Sequence, residues 1–338
     1  MTLKRKSSKM IIVTGAAGFI GSNLIAELEK RGTRGLVACD VLGCDDRWHN
    51  LAKRDLYDFI SPEQLPHFLE NHKNQIETIF HLGAISSTDA TDGDLVLKNN
   101  YRLSLDLFEW CGRNRVRLIY ASSAATYGNG SQGFEDSENA DYLAQLRPMN
   151  LYGWSKHLFD RSVLQHVFSK ETPPPPQWVG LKFFNVYGPN EHHKKGQSSV
   201  IPHFLKQIQE TGTAHLFKSM KDDIKDGYQM RDFVSVHDAV DVMIWLHTHD
   251  SICGLFNVGT GQARTFLDMA HGIFKALNLT PKIEFIDLPE KLIKHYQYYT
   301  HAPIKKLRDA GYTKPMTSIE EGIYDYVHNY LLKEDPYR

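Results

Sequence analysis

Tyr152 and Lys156 stand four residues apart in "NLYGWSKHLFD", a spacing that places both side chains on one face of a helix. Tyrosine titrates near ~10, but a neighbouring ammonium group favours tyrosinate and lowers that pKa. Ser123, 29 residues upstream of Tyr152, can hydrogen-bond the same substrate oxygen and stabilise charge that develops there. Together these residues predict a site that takes a proton from an alcohol while a hydride leaves. An ordinary helix with a half-buried tyrosine and a surface lysine is the alternative, which the pair alone does not exclude.

Three glycines, Gly15, Gly18 and Gly21, follow the apolar run Met10 to Val13 and precede a helical pattern. Glycine lets the backbone turn sharply, approach a pyrophosphate and pack the helix closely against the strand. The helix N-terminus then faces the phosphates with its partial positive charge. The pattern predicts a dinucleotide cofactor, and it favours the catalytic interpretation of the serine, tyrosine and lysine.

Asp40 ends a second apolar run, Gly35 to Asp40, and is placed to hydrogen-bond the adenosine ribose. An acid there favours NAD over NADP because it repels a 2′-phosphate. Asp55, expected at the end of a third strand, either receives the adenine amine or caps a helix. Three nearby basic residues either bind a 2′-phosphate or remain solvated surface charges: Arg47, Lys53 and Arg54.

Apolar strands alternate with helical segments through the first half of the chain. The predicted strands are Met10 to Val13, Gly35 to Asp40, Glu77 to Ala84, Val116 to Ser123 and Gln177 to Val186. The predicted helices between them include Asn100 to Arg113 and Gly153 to Phe168. This alternation predicts an α/β fold with a Rossmann-type, doubly wound parallel sheet. A later helix, Ser235 to His249, and a strand and turn, Gly254 to Gly261, are expected to return to that sheet.

The expected division of the chain follows from where the alternation weakens. Residues 10–184 plus about 232–262 are predicted to form the dinucleotide-binding Rossmann domain. Residues from about 185–231 plus 263–330 are predicted to form a smaller C-terminal α/β domain that binds substrate. Residues 1–9 are expected to be a flexible basic arm rather than a signal peptide.

The composition favours a cytoplasmic globular protein. The 39 basic and 40 acidic residues nearly cancel, so no global field favours nucleic acid or an anionic membrane. No apolar run approaches the ~20 residues that span a bilayer. The four cysteines form no CxxC pair, which predicts buried inert thiols and no metal site.

The GxxGxxG spacing resembles the extended short-chain dehydrogenase/reductase family. From Met10 to about Tyr326 the chain is further similar to the ADP-L-glycero-D-manno-heptose 6-epimerases. That resemblance is carried by "IIVTGAAGFIGSNL", "FHLGAISSTDATDGDLVLKNNY", "YASSAATYG", "NLYGWSKHLFD", "KFFNVYGPNEHHK", "RDFVSVHDAVDV", "GLFNVGTGQARTF" and "YQYYT".

The resemblance implies that C6 of the heptose in ADP-D-glycero-D-manno-heptose is inverted, for lipopolysaccharide core precursor synthesis. NADP, or NAD as the alternative, would take a hydride to leave a 6-keto intermediate and return it to the opposite face. Tyr152 would be one acid/base and Lys194 the other, although Lys195 is adjacent and both lysines can be solvated loop charges. A homo-oligomer, a pentamer by resemblance, is expected. Another nucleotide-sugar epimerase, such as a UDP-hexose 4-epimerase, is the alternative.

Ala124 and Ala125 follow Ser123, where the 4,6-dehydratases of the wider family carry an Asp-Glu pair that eliminates water. The sequence therefore disfavours dehydration. It leaves reversible oxidation by a dehydrogenase, a reductase or an epimerase.

Beyond the three glycines and Asp55, the resemblance assigns further positions to ligands. For the cofactor these are Phe19, Ile20, Asp40, Arg47, Leu82, Gly83, Ala84, Ile85, Ser86, Asn99, Lys156, Val186 and Lys194. For the sugar nucleotide they are Ser123, Asn185, Gly196, His203, Phe217, Lys218, Ser219, Met220, Arg231 and Tyr296. The guanidinium fork of Arg231 suits a diphosphate, but an ion pair with Asp232 is the alternative, and His203 can instead be a packed helix residue.

The chain departs from the family pattern at several of these positions. Val41 and Pro62 stand where an Asn and a Lys usually help to hold a 2′-phosphate, so the preference for NADP is open. Gly196 replaces a substrate-binding Ser. An insertion within Met220 to Met230 lengthens the loop before Arg231.

Overall fold

Successive side chains of a strand face opposite sides of the sheet, so a run of consecutive apolar residues places apolar side chains on both faces. In the first strand, Ile12 packs into one apolar core while Ile11 and Val13 pack into another. Leu118 and Ile119 repeat this division further along the sheet. Both faces of the sheet are therefore covered, as a parallel sheet requires.

The computed structural model describes residues 9–293 and 296–338, without the side chains of Lys195, Lys291 and Leu292. The predicted basic arm, residues 1–9, lies outside the described residues apart from Lys9.

The strands and helices alternate in chain order. The strands are β1 Met10–Thr14, β2 Leu36–Cys39, β3 Asp58–Ile60, β4 Ile76–His81, β5 Arg117–Ser123, β6 Trp178–Phe183, β7 Asn185–Tyr187, β8 Ala214–Phe217, β9 Met230–Ser235, β10 Gly254–Val258, β11 Ala263–Thr265 and β12 Ile283–Ile286. The helices are α1 Phe19–Lys30, α2 Leu65–His72, α3 Gly93–Val96, α4 Leu103–Asn114, α5 Ala140–Gln145, α6 Leu151–Ser169, α7 Val200–Thr211, α8 Val236–Thr248, α9 Phe266–Ala276, α10 Glu290–Ile293, α11 Lys305–Asp309 and α12 Ile319–Tyr326. Short 3-10 helices cover residues 46–51, 124–127 and 192–197, and π-helical turns cover 97–102 and 327–331.

The central sheet has seven parallel strands in the order β3-β2-β1-β4-β5-β6-β10, which confirms the predicted Rossmann-type fold. The strand order reverses between β1 and β4, so their carboxyl ends open a crevice. Gly15 follows β1 and Gly83 follows β4 at this crevice.

A third core lies under the smaller sheets. A three-stranded sheet has the order β11-β9-β7, and β8 pairs with β12. Helices α7, α9 and α12 bury Ile201, Ile273 and Ile323 against Tyr187 and Phe233 of β7 and β9. Within the described residues, no helix is both long and apolar enough to cross a lipid bilayer.

Two of the predicted strands end earlier than expected. The strand expected over Glu77 to Ala84 ends at His81, since the chain turns where Gly83 packs against Gly15. The strand expected over Gln177 to Val186 divides at Phe184, where a tight turn sends β7 into the three-stranded sheet.

Asp55 was expected at the end of a third strand, and this is wrong because a 3-10 helix over 46–51 precedes β3, which begins only at Asp58. The expectation of buried thiols holds for Cys39 and Cys111, whereas Cys44 and Cys253 are exposed.

Candidate active site

Contacts within the protein require glycine at positions 15 and 21 of the turn, whereas Gly18 has more space around it. Gly15 has φ +66°, and a Cβ there would lie 2.6 Å from the Gly83 nitrogen. A Cβ on Gly21 would lie 2.1 Å from the Gly15 oxygen. A Cβ on Gly18 would meet only the Gly15 carbonyl, with its oxygen at 3.1 Å, so this glycine leaves bare backbone at the start of α1. The turn therefore fits the close approach of a pyrophosphate at a helix N-terminus.

A cavity of about 550 Å³ opens at this turn and runs along the crevice. Its walls come from the glycine turn, the loop after β4, the end of β5, helix α6 and the 3-10 helix over 192–197. The predicted residues that line it are Gly15, Gly18, Phe19, Ile20, Gly21, Asp40, Arg47, Leu82, Gly83, Ala84, Ile85, Ser86, Ser123, Tyr152, Lys156, Val186 and Lys194. Its size and its bare helix N-terminus fit an extended dinucleotide.

Asp40 lies where this cavity meets a smaller one of about 250 Å³. Its carboxylate accepts hydrogen bonds from the Ala17 nitrogen at 2.8 Å and the Val41 nitrogen at 2.7 Å. Burial raises the pKa of Asp40, while these bonds lower it. Asn99 lines the smaller cavity, and its amide donates to the Leu95 carbonyl at 2.8 Å.

Of the three basic residues considered for a 2′-phosphate, Arg47 lines both cavities. Lys53 pairs with Asp335 at 2.7 Å, and Arg54 pairs with Glu29 at 2.6 Å, away from either cavity. Asp55 also lies outside these cavities, and its exposed carboxylate is 3.4 Å from Arg34.

Ser123 and Tyr152 meet because α6 begins against the end of β5. Asn150 caps α6 by accepting from the Gly153 nitrogen at 2.8 Å. A Cβ on Gly153 would lie 2.7 Å from the Ala125 oxygen, so the helix approaches the chain just after Ser123 without space between them. Lys156 lies one turn further along α6 and is 1% exposed, which excludes the surface-lysine alternative.

Burial has the largest effect on the pKa values of Tyr152 and Lys156. It raises the pKa of Tyr152, and the hydrogen bond with Ser123 lowers it only in part. The net lowering of the Tyr152 pKa that was expected from Lys156 is therefore not found. Burial also lowers the pKa of Lys156, to about 8, while Asp160 raises it.

Lys194 lies in the 3-10 helix over 192–197, with Nζ 5.5 Å from the centre of the Phe19 ring. Burial lowers the pKa of Lys194, and Glu191 raises it. Glu191 is itself buried and accepts from the Ser199 hydroxyl at 2.7 Å. Lys194 is thus held at the dinucleotide cavity, whereas the side chain of Lys195 lies outside the described part of the chain.

A third cavity of about 300 Å³ adjoins the dinucleotide cavity. Ser123, Tyr152, Phe183 and Phe184 line both. The new walls include Asn185, Arg231 and Tyr296 from the predicted substrate set, together with Ala124, Ala125, Asn150, Gln297 and Thr300. A small molecule in this cavity would therefore reach the serine and tyrosine.

Arg231 is buried in the wall of this third cavity. Its guanidinium lies 5.6 Å from the centres of the Phe266 and Tyr296 rings and donates to the Met230 and Gln297 carbonyls. Burial lowers the pKa of Arg231 to about 10. The alternative of an ion pair with Asp232 is not found, since the Asp232 carboxylate accepts from Thr260.

Several predicted substrate residues lie outside this cavity. His203 is exposed on α7, with Nε2 2.9 Å from the Ser198 hydroxyl, and Gly196 is exposed with open space around it. The segment Phe217 to Met220 does not line the third cavity. The centre of the Phe217 ring lies 6.4 Å from that of Tyr296, which does line it. Met220 donates its backbone N–H to the Tyr298 hydroxyl at 3.1 Å.

Two buried polar groups behind the site were missed from the sequence. Asn100, in the π turn, donates to the Ile85 carbonyl at 2.9 Å and the Ser155 hydroxyl at 3.0 Å, which ties the cofactor loop to α6. Asp160 binds Lys182 at 2.6 Å, with both side chains fully buried. A polar residue in a helix is usually exposed, so the sequence pattern carried no signal for either.

Comparison with known proteins places this geometry in a family. The profile of the "NAD dependent epimerase/dehydratase family" matches residues 11–259. A relative from Fusobacterium nucleatum named ADP-L-glycero-D-manno-heptose-6-epimerase is 44% identical over 336 residues, which cover 97% of this chain and all of that one.

Two solved structures extend the comparison. The ADP-L-glycero-D-manno-heptose-6-epimerase of Helicobacter pylori aligns with a TM-score of 0.76 and 28% identity, covering 97% of this chain and 99% of that one. The UDP-glucose 4-epimerase of Thermus thermophilus in complex with NAD aligns with a TM-score of 0.73 and 25% identity, covering 94% and 97%. From the profile and the full-length relative, we conclude that the chain belongs to the NAD dependent epimerase/dehydratase family.

Proposed function

We propose that this protein converts ADP-D-glycero-D-manno-heptose to ADP-L-glycero-D-manno-heptose by inverting C6 of the heptose, as a precursor step for lipopolysaccharide core. The observation that carries the proposal is the junction of two cavities at Ser123 and Tyr152. The full-length relative that bears this enzyme name supports the choice of substrate.

Tyr152 is proposed to take the proton of the C6 hydroxyl, with the Ser123 hydroxyl donating to the same oxygen. Lys156, whose pKa of about 8 keeps it protonated at neutral pH, supplies positive charge one turn away. A dinucleotide held at the glycine turn would supply reversible hydride transfer.

Lys194 is proposed as the second acid/base. Inversion needs a proton partner for each configuration of the hydroxyl, because the hydride leaves one face of C6 and returns to the other. Its place at the dinucleotide cavity and the lowering of its pKa by burial suit a lysine that gives up a proton more readily than a solvated one. Ala124 and Ala125 line the third cavity without carboxylates, which supports epimerisation over dehydration.

For the dinucleotide we propose NADP, with Arg47 beside the ribose end, and NAD as the alternative favoured by Asp40. The two-domain division proposed from the sequence is supported by the walls of the third cavity. Ser123 and Tyr152 come from residues 10–184, whereas Arg231 and Tyr296 come from the proposed substrate domain. The homo-oligomer, the pentamer and the cytoplasmic location stay predictions.

A UDP-hexose 4-epimerase is the second candidate, favoured by the similarity to the Thermus thermophilus enzyme. The purified protein should be incubated separately with ADP-D-glycero-D-manno-heptose and UDP-glucose, and the epimers followed by NMR. We expect conversion of the ADP-heptose alone. Conversion of UDP-glucose with no turnover of the ADP-heptose would replace the first candidate by the second.

A further inference from the structure

The guanidinium of Arg47 is already engaged by a carboxylate. Its Nε donates to Oδ1 of Asp45 at 2.8 Å, and its Nη2 donates to Oδ2 at 2.7 Å. This two-pronged geometry is the one that a phosphate would also use. The remaining Nη1 points to the Val41 carbonyl at 3.4 Å. A 2′-phosphate that binds Arg47 must therefore displace Asp45 or share the guanidinium with it.

The charges around Arg47, where the adenosine ribose is expected, also disfavour a 2′-phosphate. Asp40 and Asp45 face Arg47, so the three side chains carry a net negative charge. Val41 and Pro62 line the smaller cavity without charge. Lys53 and Arg54 are paired elsewhere. A 2′-phosphate would meet an Arg47 guanidinium that Asp45 already neutralises, whereas a ribose hydroxyl would meet no such conflict.

We propose that Asp45 is a specificity-determining residue that competes with a 2′-phosphate for Arg47 and weakens NADP relative to NAD. The proposal rests on the proposed function only in taking this cavity as the dinucleotide site. It concerns the ratio of the two affinities, so it holds whichever dinucleotide the wild-type protein prefers.

Asp45→Asn tests the proposal with little structural change. Asp45 caps the 3-10 helix by accepting from the Arg47 nitrogen at 3.1 Å, and asparagine keeps that acceptor. Protein stripped of dinucleotide should be titrated calorimetrically with NADP and NAD, without sugar substrate. We expect Asp45→Asn to tighten NADP by about three- to tenfold and to change NAD by less than about twofold.

The same titrations on Arg47→Ala and on the double variant Arg47→Ala with Asp45→Asn complete a double-mutant cycle. If Asp45 acts through Arg47, Asp45→Asn should give no gain for NADP in the Arg47→Ala background. An unchanged ratio of affinities in Asp45→Asn, or an equal gain for both dinucleotides, would overturn the proposal. Failure to turn over ADP-heptose would instead count against the proposed function and leave the binding ratio intact.

Discussion

Lys194 Nζ lies 5.5 Å from the centre of the aromatic ring of Phe19, and Phe19 is the first residue of α1. This contact holds an ammonium group at the cavity that the glycine turn opens. Phe19 itself is 5% exposed, so the ring is a fixed surface for the lysine. A lysine partly withdrawn from water can release its proton more readily than a solvated one.

Lys194→Met should lower the rate of epimerisation by about 10²- to 10⁴-fold, because one configuration of the hydroxyl loses its proton partner. The neighbouring Lys195→Met is the matched control and should keep nearly full activity. The conversion of ADP-heptose measures both. Full activity in Lys194→Met with loss in Lys195→Met would move the role to Lys195.

Tyr152→Phe should lower the rate over a similar range, since the ring is kept and the hydroxyl is lost. The double variant with Lys194→Met should be little worse than either single variant, because each blocks the same cycle of oxidation and reduction. Retained dinucleotide in each purified variant confirms that the cofactor site is intact. Losses that multiply in the double variant would show that the two groups act independently.

Lys156 should make folding stability depend on pH at the alkaline side. Its pKa is about 8 in the folded protein against 10.5 in the unfolded chain, so the unfolded chain binds more protons between these values. The unfolding free energy should therefore rise with pH from about 8 to 10.5, by up to about 3 kcal/mol.

Urea unfolding of dinucleotide-free protein across this pH range measures the effect. Lys156→Met lacks the titrating group and should lose this increment. Curves for the two proteins that run parallel from pH 8 to 10.5 would show that folding does not lower the pKa of Lys156.

The buried pair of Asp160 and Lys182 should be sensitive to the loss of one partner. Asp160→Asn leaves the Lys182 ammonium without its counter-charge and should cost about 3–5 kcal/mol of unfolding free energy. Adding Lys182→Met should recover much of this loss. Ser122→Ala, which removes one hydroxyl donor to Asp160 at 2.7 Å, is the milder control at about 1 kcal/mol. Equal losses in all three variants would contradict a charge-specific cost.

The sequence predicted the elements whose patterns are local. The runs before Gly15 and around Ser123 became β1 and β5, and the helix that carries Tyr152 and Lys156 became α6. The fold class followed from their alternation, whereas the strand order came from the structure. Arg231 was assigned to the sugar nucleotide by resemblance, and the structure places it at the third cavity beside the Phe266 and Tyr296 rings.

Features that depend on distant pairing could not be predicted. Asn100 bonds Ile85, 15 residues away in sequence, and Ser155, 55 residues away. No local spacing encodes these two bonds. The centre of the Tyr337 ring lies 5.1 Å from the ring centres of both His49 and His192, which joins the 3-10 helices that carry Arg47 and Lys194. Only the folded chain brings such groups together.

Epimerisation of ADP-D-glycero-D-manno-heptose in D₂O tests the proposed reaction most directly. If a hydride leaves C6 and returns to it, NMR should show both C6 epimers with hydrogen retained at that carbon. Deuterium at C6, or the absence of the second epimer, would contradict the proposed transfer between substrate and bound dinucleotide.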